Sequence, residues 1–434
     1  MKKWLLCSLM FVGALFGHES DRASNGLWKT FFRSLRTLDH QDILDGEVLI
    51  ARHNKVLLHL KSRRMKGKTP LFMIGSESKQ FTSVALLKAL YDTSSAQTEE
   101  EKTADVEQRL QLPISSYLGP EDPIWGNDMP SWAGTITLHQ LLSMTSGIQD
   151  FTEVPAYMEA DPHHKKKLFC ECAHSGREIL DLVKNLPLLF TPGTTYWYSN
   201  TNYSLLSYVL QKVAGTSYKS YLDKKLFSPL SLRHTSLVCK GRWPELRRQG
   251  KYRKLVNEWN YDRVARSKRL YSPSSYENLS NAIGAGSIVS TAKDLIKWNK
   301  GLYEENFLPP GMLGLFTTPN LNGYGYGIKI TEHPYGLVYQ HEGAIDTFRT
   351  ELIYFERQHI SLVYLSPIQA DSNKLTKVSD AWSNMLENVI PDPAQRAQRI
   401  NSTITFEYPE LRDGEEKTQA LLALFFGITP ISRS

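Results

Sequence analysis

Apolar positions recur with two different periods along this chain, and the change of period divides it. From Gly46 to Leu60 two β-rich runs flank His53-Asn54, the pattern of a hairpin. Ser76 to Leu90 then carries Phe81, Val84, Ala85, Leu87 and Leu90 at helical spacing. Thr93 to Glu107 is polar and acid-containing, and it reads as a solvated insertion between helices. Leu138 to Met144, Ile179 to Leu186 and Tyr203 to Val213 return to the helical pattern, so the middle of the chain is largely helical. Strand-like runs follow at Tyr324 to Ile330, Gly336 to Gln340, Phe348 to Phe355 and Ile360 to Ser366, with an amphipathic helix at Asn373 to Val389.

Strands at both ends with helices between them predict an α/β chain of the α+β sandwich kind. A mixed, mainly antiparallel sheet is flanked by helices and interrupted by an inserted all-helical domain. The boundaries drawn are 25–92 with 280–390 for the sheet domain, 93–279 for the helical insert and 391–434 for a C-terminal extension. The cleft between sheet domain and insert is the expected place for a site.

Composition adds limits rather than detail. With 434 residues, 41% of them hydrophobic and 11% aromatic, the chain can bury a full core. The net charge of +6 is a small excess of 51 basic over 45 acidic residues, too small for a dedicated nucleic-acid protein. Lys2 and Lys3 before the apolar run from Trp4 to Phe16 read as an export signal over residues 1–17, which places the protein in the periplasm or otherwise outside the cytoplasm. The run is shorter than the roughly 20 residues that span a bilayer. Removing that leader leaves Cys170, Cys172 and Cys239, an odd number, so the chain is no disulfide scaffold. Cys170-Glu171-Cys172 beside His174 suggests a metal, but no second ligand pair at finger-like spacing follows, and neither metal nor cofactor is expected.

The chemistry concentrates at Ser76-Glu77-Ser78-Lys79. At a helix start this spacing puts a hydroxyl and an amine on one face, where a lysine neutral for part of the time can take the serine proton. Burial and neighbouring positive charge lower a lysine pKa in that way. Ser290-Thr291-Ala292-Lys293 repeats the spacing, but Ser290 or Thr291 there reads as a helix cap. Phe72-Met73-Ile74-Gly75 sets the first copy apart, because a strand or loop delivers its serine to the helix.

Two further segments follow in order: Tyr198-Ser199-Asn200 after Thr191-Pro192-Gly193, and His341-Glu342-Gly343 at the end of a strand, followed by Ala344. Together the three resemble the serine β-lactamase and penicillin-binding DD-peptidase superfamily in its class C branch, whose elements are S-x-x-K, Tyr-x-Asn and K-T-G or H-x-G. Supporting likeness runs through Leu141 to Gly147, Leu226 to Leu230 and Gly284 to Ala292, over roughly Gly46 to Ile390. The resemblance implies a β-lactamase/transpeptidase-like fold in which Ser76 is acylated. It also implies that Tyr198 relays protons with Lys79, Asn200 hydrogen-bonds the substrate amide, and His341 stands where most members have lysine. Gly343 then lets substrate pack against its strand, and the backbone N–H of Ala344 joins that of Ser76 as the oxyanion hole. The expected function is a DD-peptidase of the D-alanyl-D-alanine carboxypeptidase type acting on peptidoglycan stem peptides, with β-lactams as covalent ligands. A β-lactamase or small-ester hydrolase shares this machinery. A non-catalytic wall-binding protein is the alternative of another class.

Other features receive plainer readings. Lys240 to Arg269 holds eleven basic and three acidic residues among aromatics, which fits a solvated surface better than a nucleic-acid site. His163-His164 with Lys165 to Lys167 reads as an exposed basic loop, and Tyr276-Glu277-Asn278 and His174-Ser175-Gly176 as chance repeats of the motifs. Ala420 to Ile428 is nine residues long, enough for a peripheral membrane contact but not a span, and packing against the protein is its simpler role.

Overall fold

In the computed structural model, the described residues are 46–367 except 54, 62–64, 66–68, 164–166, 242–245, 247, 249–253, 255–258, 263–266, 271–277, 334–335 and 346–347. The leader, the helix expected over 373–389 and the C-terminal apolar run lie outside them. So do much of the basic stretch 240–269 and three residues of the 163–167 loop.

The strands in chain order are β1 (Glu47–Arg52), β2 (Lys55–Lys61), β3 (Phe72–Met73), β4 (Ser236–Leu237), β5 (Trp259–Asp262), β6 (Ser267–Leu270), β7 (Ile288–Ser290), β8 (Lys329–His333), β9 (Gly336–Ile345), β10 (Phe348–Phe355) and β11 (Ile360–Ser366). The helices are α1 (Ser78–Asp92), α2 (Glu99–Leu110), α3 (Leu138–Leu142), α4 (Gly176–Asp181), α5 (Asn200–Ala214), α6 (Tyr218–Leu222), α7 (Ala292–Glu304) and α8 (Pro310–Thr317).

One six-stranded sheet in the order β2-β1-β11-β10-β9-β8 joins the two ends of the described chain. Every neighbouring pair in it is antiparallel. β10 and β11 are buried along nearly their whole length, as expected of strands covered on both faces. α7 packs on β11 and β1. A second, three-stranded sheet, β3-β7-β4, lies at the base of α1.

α1 is buried on nearly all sides, so it is a central helix rather than an amphipathic surface one. It packs against α5, α2 and α8. Phe81 stacks on Trp298 of α7 with ring centroids 4.0 Å apart and meets Phe227 edge-on at 5.9 Å. These aromatic contacts tie the helix core to the layer that covers the sheet.

Three expectations need correction. The 93–107 stretch is not merely a solvated insertion: α2 occupies most of it, because Thr98 and Glu101 form a capping box, while only Val106 and Leu110 face the core. The helix expected over 179–186 begins earlier, at the Ser175 cap, and ends at Asp181. The strand expected from Tyr324 starts instead at Lys329, because Gly325 N–H turns back to the Ile328 carbonyl at 2.8 Å and Gly327 lies against the Lys79 carbonyl.

Beneath the sheet, two carboxyl groups are buried side by side. Glu77 is fully buried, and burial raises its pKa well above the ordinary value, with Glu351 adding repulsion. Neither Glu77 oxygen accepts a hydrogen bond, since the one hydroxyl proton of nearby Thr350 is committed to the Ile74 carbonyl at 3.0 Å. Burial, with the Glu342 charge on the paired strand, pushes Glu351 from 4.5 to about 8. A carboxyl raised in the fold stabilises fully below pH 4.5, and that stability is lost as pH climbs toward about 8. Glu351→Gln removes the penalty. Its unfolding free energy, measured by denaturant titration, should match wild type near pH 4 and exceed it progressively to pH 8, by up to about 5 kcal/mol in the limit of the full displacement. A constant difference across that range would show that Glu351 ionises freely in the fold.

Candidate active site

Ser76 occupies a single turn, Gly75–Glu77, wedged between β3 and α1 and packed against β9 and β10. The backbone is pinned on both sides. Ile74 N–H donates to the Ile288 carbonyl at 3.0 Å, its carbonyl accepts from Thr350, and Ile288 N–H donates to the Ser78 hydroxyl at 3.2 Å. Gly75 has φ +51, and a Cβ there would lie 2.8 Å from the Ala344 nitrogen. Only glycine lets the Ser76 turn approach the β9 backbone so closely.

One turn further along α1, Lys79 is completely buried, and its amine has three partners. It donates to Ser76 Oγ at 3.0 Å, Asn200 Oδ1 at 2.8 Å and the Ala285 carbonyl at 2.9 Å. Burial lowers its pKa from 10.5 to about 7, against the opposing pull of Asp150. A neutral amine next to the serine is therefore accessible near neutral pH.

Tyr198 lies on the other side of that amine, with Lys79 Nζ 4.8 Å from its ring centroid. Part of the ring is open to solvent, but its surroundings push the hydroxyl pKa well above 10, burial first and a hydrogen bond with Ser76 pulling back. The phenol thus stays protonated. The loop 141–147 holds this segment: Trp197 N–H donates to the Met144 carbonyl at 2.9 Å and Gly193 N–H to the Thr145 carbonyl at 2.8 Å. Ser146 Oγ bonds Asn202 Oδ1 at 2.7 Å.

Asn200 is the first residue of α5 and stands between Lys79 and Asp150. Its carbonyl oxygen accepts from Lys79, and its amide donates to Asp150 Oδ2 at 2.8 Å. In this structure it links two protein groups. Asp150 escaped the sequence reading. It is buried, accepts also from the Asn200 and Thr152 backbone N–H groups, and holds the Asn200 side chain in orientation. Its position three residues beyond the Leu-Leu-Ser-Met-Thr-Ser-Gly segment was the available signal.

β9 brings the remaining candidates to the same place. Gly343 has no room for a side chain, since a Cβ would lie 2.0 Å from the Ile74 carbonyl and 2.2 Å from Thr350 Oγ1. The protein's own nucleophile turn therefore requires a glycine here. Ala344 is exposed beside that turn. His341 is buried, with Nδ1 donating to the Glu342 carbonyl at 2.6 Å and Nε2 bonded to the Tyr324 hydroxyl at 3.0 Å. The Tyr198 ring centroid lies 6.2 Å from that of His341.

The other motif copies fall elsewhere. Thr291 caps α7 by accepting from Asp294 N–H at 3.2 Å, and Ser175 caps α4. A cavity of about 510 Å³ between α2, α8 and His139 is distinct from the serine.

A family model described as Beta-lactamase matches residues 31–377. The chain is 24% identical over 376 residues to penicillin-binding protein 4* of Bacillus subtilis, covering 81% of this chain and 74% of that protein. It is also 24% identical to protein flp of Staphylococcus aureus, covering 78% of this chain but only 64% of that longer protein. Among solved structures, a D-stereospecific amidohydrolase from Streptomyces sp. superposes with a TM-score of 0.59 at 23% identity, covering 79% of this chain and 96% of the other.

Asp150 gives the site a pH signature. Labelling of Ser76 by an electrophilic phosphonate should rise with pH around the Lys79 value of about 7, because only the neutral amine takes the serine proton. Asp150→Asn removes a charge that raises the lysine pKa, so the midpoint should fall by on the order of one pH unit. A midpoint that stays in place would detach Asp150 from the ionisation of Lys79.

Proposed function

Because the chain belongs to the Beta-lactamase family, the group of serine β-lactamases and penicillin-binding proteins, we propose that it is an exported DD-peptidase that acylates Ser76 with peptides ending in D-alanyl-D-alanine. The observation that carries this reading is the fully buried Lys79 amine at 3.0 Å from Ser76 Oγ. A non-catalytic wall-binding protein has no use for so costly an arrangement.

Neutral Lys79 takes the Ser76 proton as Oγ attacks the carbonyl carbon. The N–H groups of Ser76 and Ala344 stabilise the oxyanion. Tyr198, protonated at rest, gives its proton to the amine as the C–N bond breaks, and is reprotonated from Lys79. Water then attacks the acyl-serine, and the same groups return Ser76 to its resting state. Asp150 and Asn200 hold the lysine in place throughout.

A second reading, hydrolysis of small D-amino-acid amides or esters, is favoured by His341. In the usual motif a lysine and a hydroxyl residue grip the substrate carboxylate. Here both imidazole nitrogens are engaged within the protein, and no fixed positive charge stands at that strand position. The arrangement suits substrates without a free carboxylate and makes the protein a poor β-lactamase. The structural likeness to a D-stereospecific amidohydrolase points the same way.

The test incubates the full chain with labelled penicillin, a D-Ala-D-Ala peptide and a chromogenic ester side by side. Intact mass should rise by one adduct, mapped to Ser76 and absent in Ser76→Ala. An adduct that survives Ser76→Ala rejects the assignment of the nucleophile. If the missing charge sets substrate choice, His341→Lys should raise penicillin acylation on the order of tenfold more than ester hydrolysis. Equal effects on both, or rapid β-lactam turnover by wild type, would show that it does not.

A further inference from the structure

Among the described residues outside the serine site, a buried cluster combines three different ligand chemistries. Asp161, Cys172 and His174 are all buried, and a carboxylate oxygen, the Cys172 sulfur and an imidazole nitrogen all lie within 4.8 Å of one another. His174 Nε2 is 3.0 Å from Asp161 Oδ2. Ligand atoms around a tetrahedral divalent ion with bonds of about 2.0–2.3 Å stand roughly 3.3–3.7 Å apart, so small shifts would seat an ion between them.

We propose that Asp161, Cys172 and His174 form a structural site for a zinc-like divalent transition metal. The donor set of one thiolate, one imidazole and one carboxylate selects such an ion over calcium or magnesium, which take oxygen ligands. The sequence argument against a metal rested on the lack of a second ligand pair. The fold supplies Asp161 instead, from the segment before the basic loop, where Ala160 bridges Leu168 and Asp161 N–H donates to the Lys167 carbonyl at 2.8 Å.

The surroundings are those of a built site. His174 Nδ1 faces Glu178 Oε1 at 3.5 Å, so a carboxylate orients the imidazole and leaves Nε2 toward the cluster. Phe169 stacks on the His174 ring with centroids 3.6 Å apart and an interplanar angle of 5°, which keeps water from that side. The Phe169 carbonyl, 3.1 Å from Nε2, is positioned to serve as a fourth donor. The other Asp161 oxygen is fixed by His163 N–H at 2.7 Å. On binding, the Cys172 S–H bond breaks, its proton leaves to solvent, and the sulfur lone pair forms the bond to the metal.

The site also connects to the catalytic lysine. His174 N–H donates to Asn281 Oδ1 at 3.1 Å, and Asn281 donates back to the Cys172 carbonyl at 3.1 Å. Asn281 belongs to the turn Leu279–Ala282, which leads to the Ala285 carbonyl that accepts from Lys79. A metal here would brace the wall behind that acceptor.

The experiment treats the purified full chain with a chelator and titrates it with cobalt(II). One equivalent should bind with a thiolate-to-cobalt charge-transfer band in the near ultraviolet, zinc should abolish the band, and zinc should raise the melting temperature. Cys172→Ser should lose the band while Cys239→Ser keeps it. Glu178→Gln, at a half-buried position, should keep the band and weaken cobalt binding about 10–100-fold. The second cluster, His53, Glu304 and His359, has no sulfur and cannot give this band. Failure of the folded wild type to take up cobalt with a thiolate band, persistence of the band in Cys172→Ser, or unchanged affinity in Glu178→Gln would overturn the proposal.

Discussion

The structure turns on one amine held out of water. Lys79 is buried with its three donor directions filled by a serine, an asparagine and a backbone carbonyl. Those partners lie 3, 121 and 206 positions away in the chain, so the helix α1, the start of α5 and the turn before β7 must all be in place at once. Desolvation favours the neutral form of so buried a lysine, and Asp150 pulls the other way. The balance leaves an amine that accepts a proton and releases it near neutral pH, as a serine activator must. Much of the surrounding sequence serves that compromise: the loop 141–147 fixes the Tyr198 segment, and Asp150 fixes Asn200.

The nucleophile turn is held by a second constraint that carries no chemistry of its own. Gly75 and Gly343 let the backbones of the turn and β9 come closer than any side chain permits. Glu77 and Glu351 sit under the same contact, where burial keeps them from ionising as free carboxyl groups do. Unpaired buried polar atoms of this kind are a cost to stability, and such costs gather where geometry is fixed for function.

The catalytic candidates were legible in the sequence because each belongs to a short local pattern. Ser76 and Lys79 share a helix turn, Tyr198 and Asn200 lead into another, and His341 to Ala344 end a strand whose alternation is plain. The hairpin at 47–61 and the strands at 336–366 were visible for the same reason. What was not legible depends on approach between distant segments. Asp150 matters only because Asn200 folds onto it, and the close approach of Gly343 to Ile74 joins segments far apart in the chain. α2 was missed through weight given to composition, since its capping box at Thr98 and Glu101 was in the sequence but its acidic surface looked like a loop. The false strand start at Tyr324 failed because a turn of glycines against Lys79 interrupts an otherwise extended run.

The antiparallel sheet has a consequence for how the chain assembles. β1 pairs with β11 at the far end of the described chain, and the bond from Thr350 to Ile74 closes a loop of 276 positions. Contacts of such long range form late and slowly, because the loop-closure entropy is paid before they repay it. During synthesis the β1–β2 hairpin therefore emerges with one edge unpaired and stays so until β11 follows. In that interval it is a template for pairing with other chains. Truncation anywhere before β11 would leave the serine helix intact in sequence but without the wall that aligns it, so a nascent or clipped chain is both inert and prone to self-association.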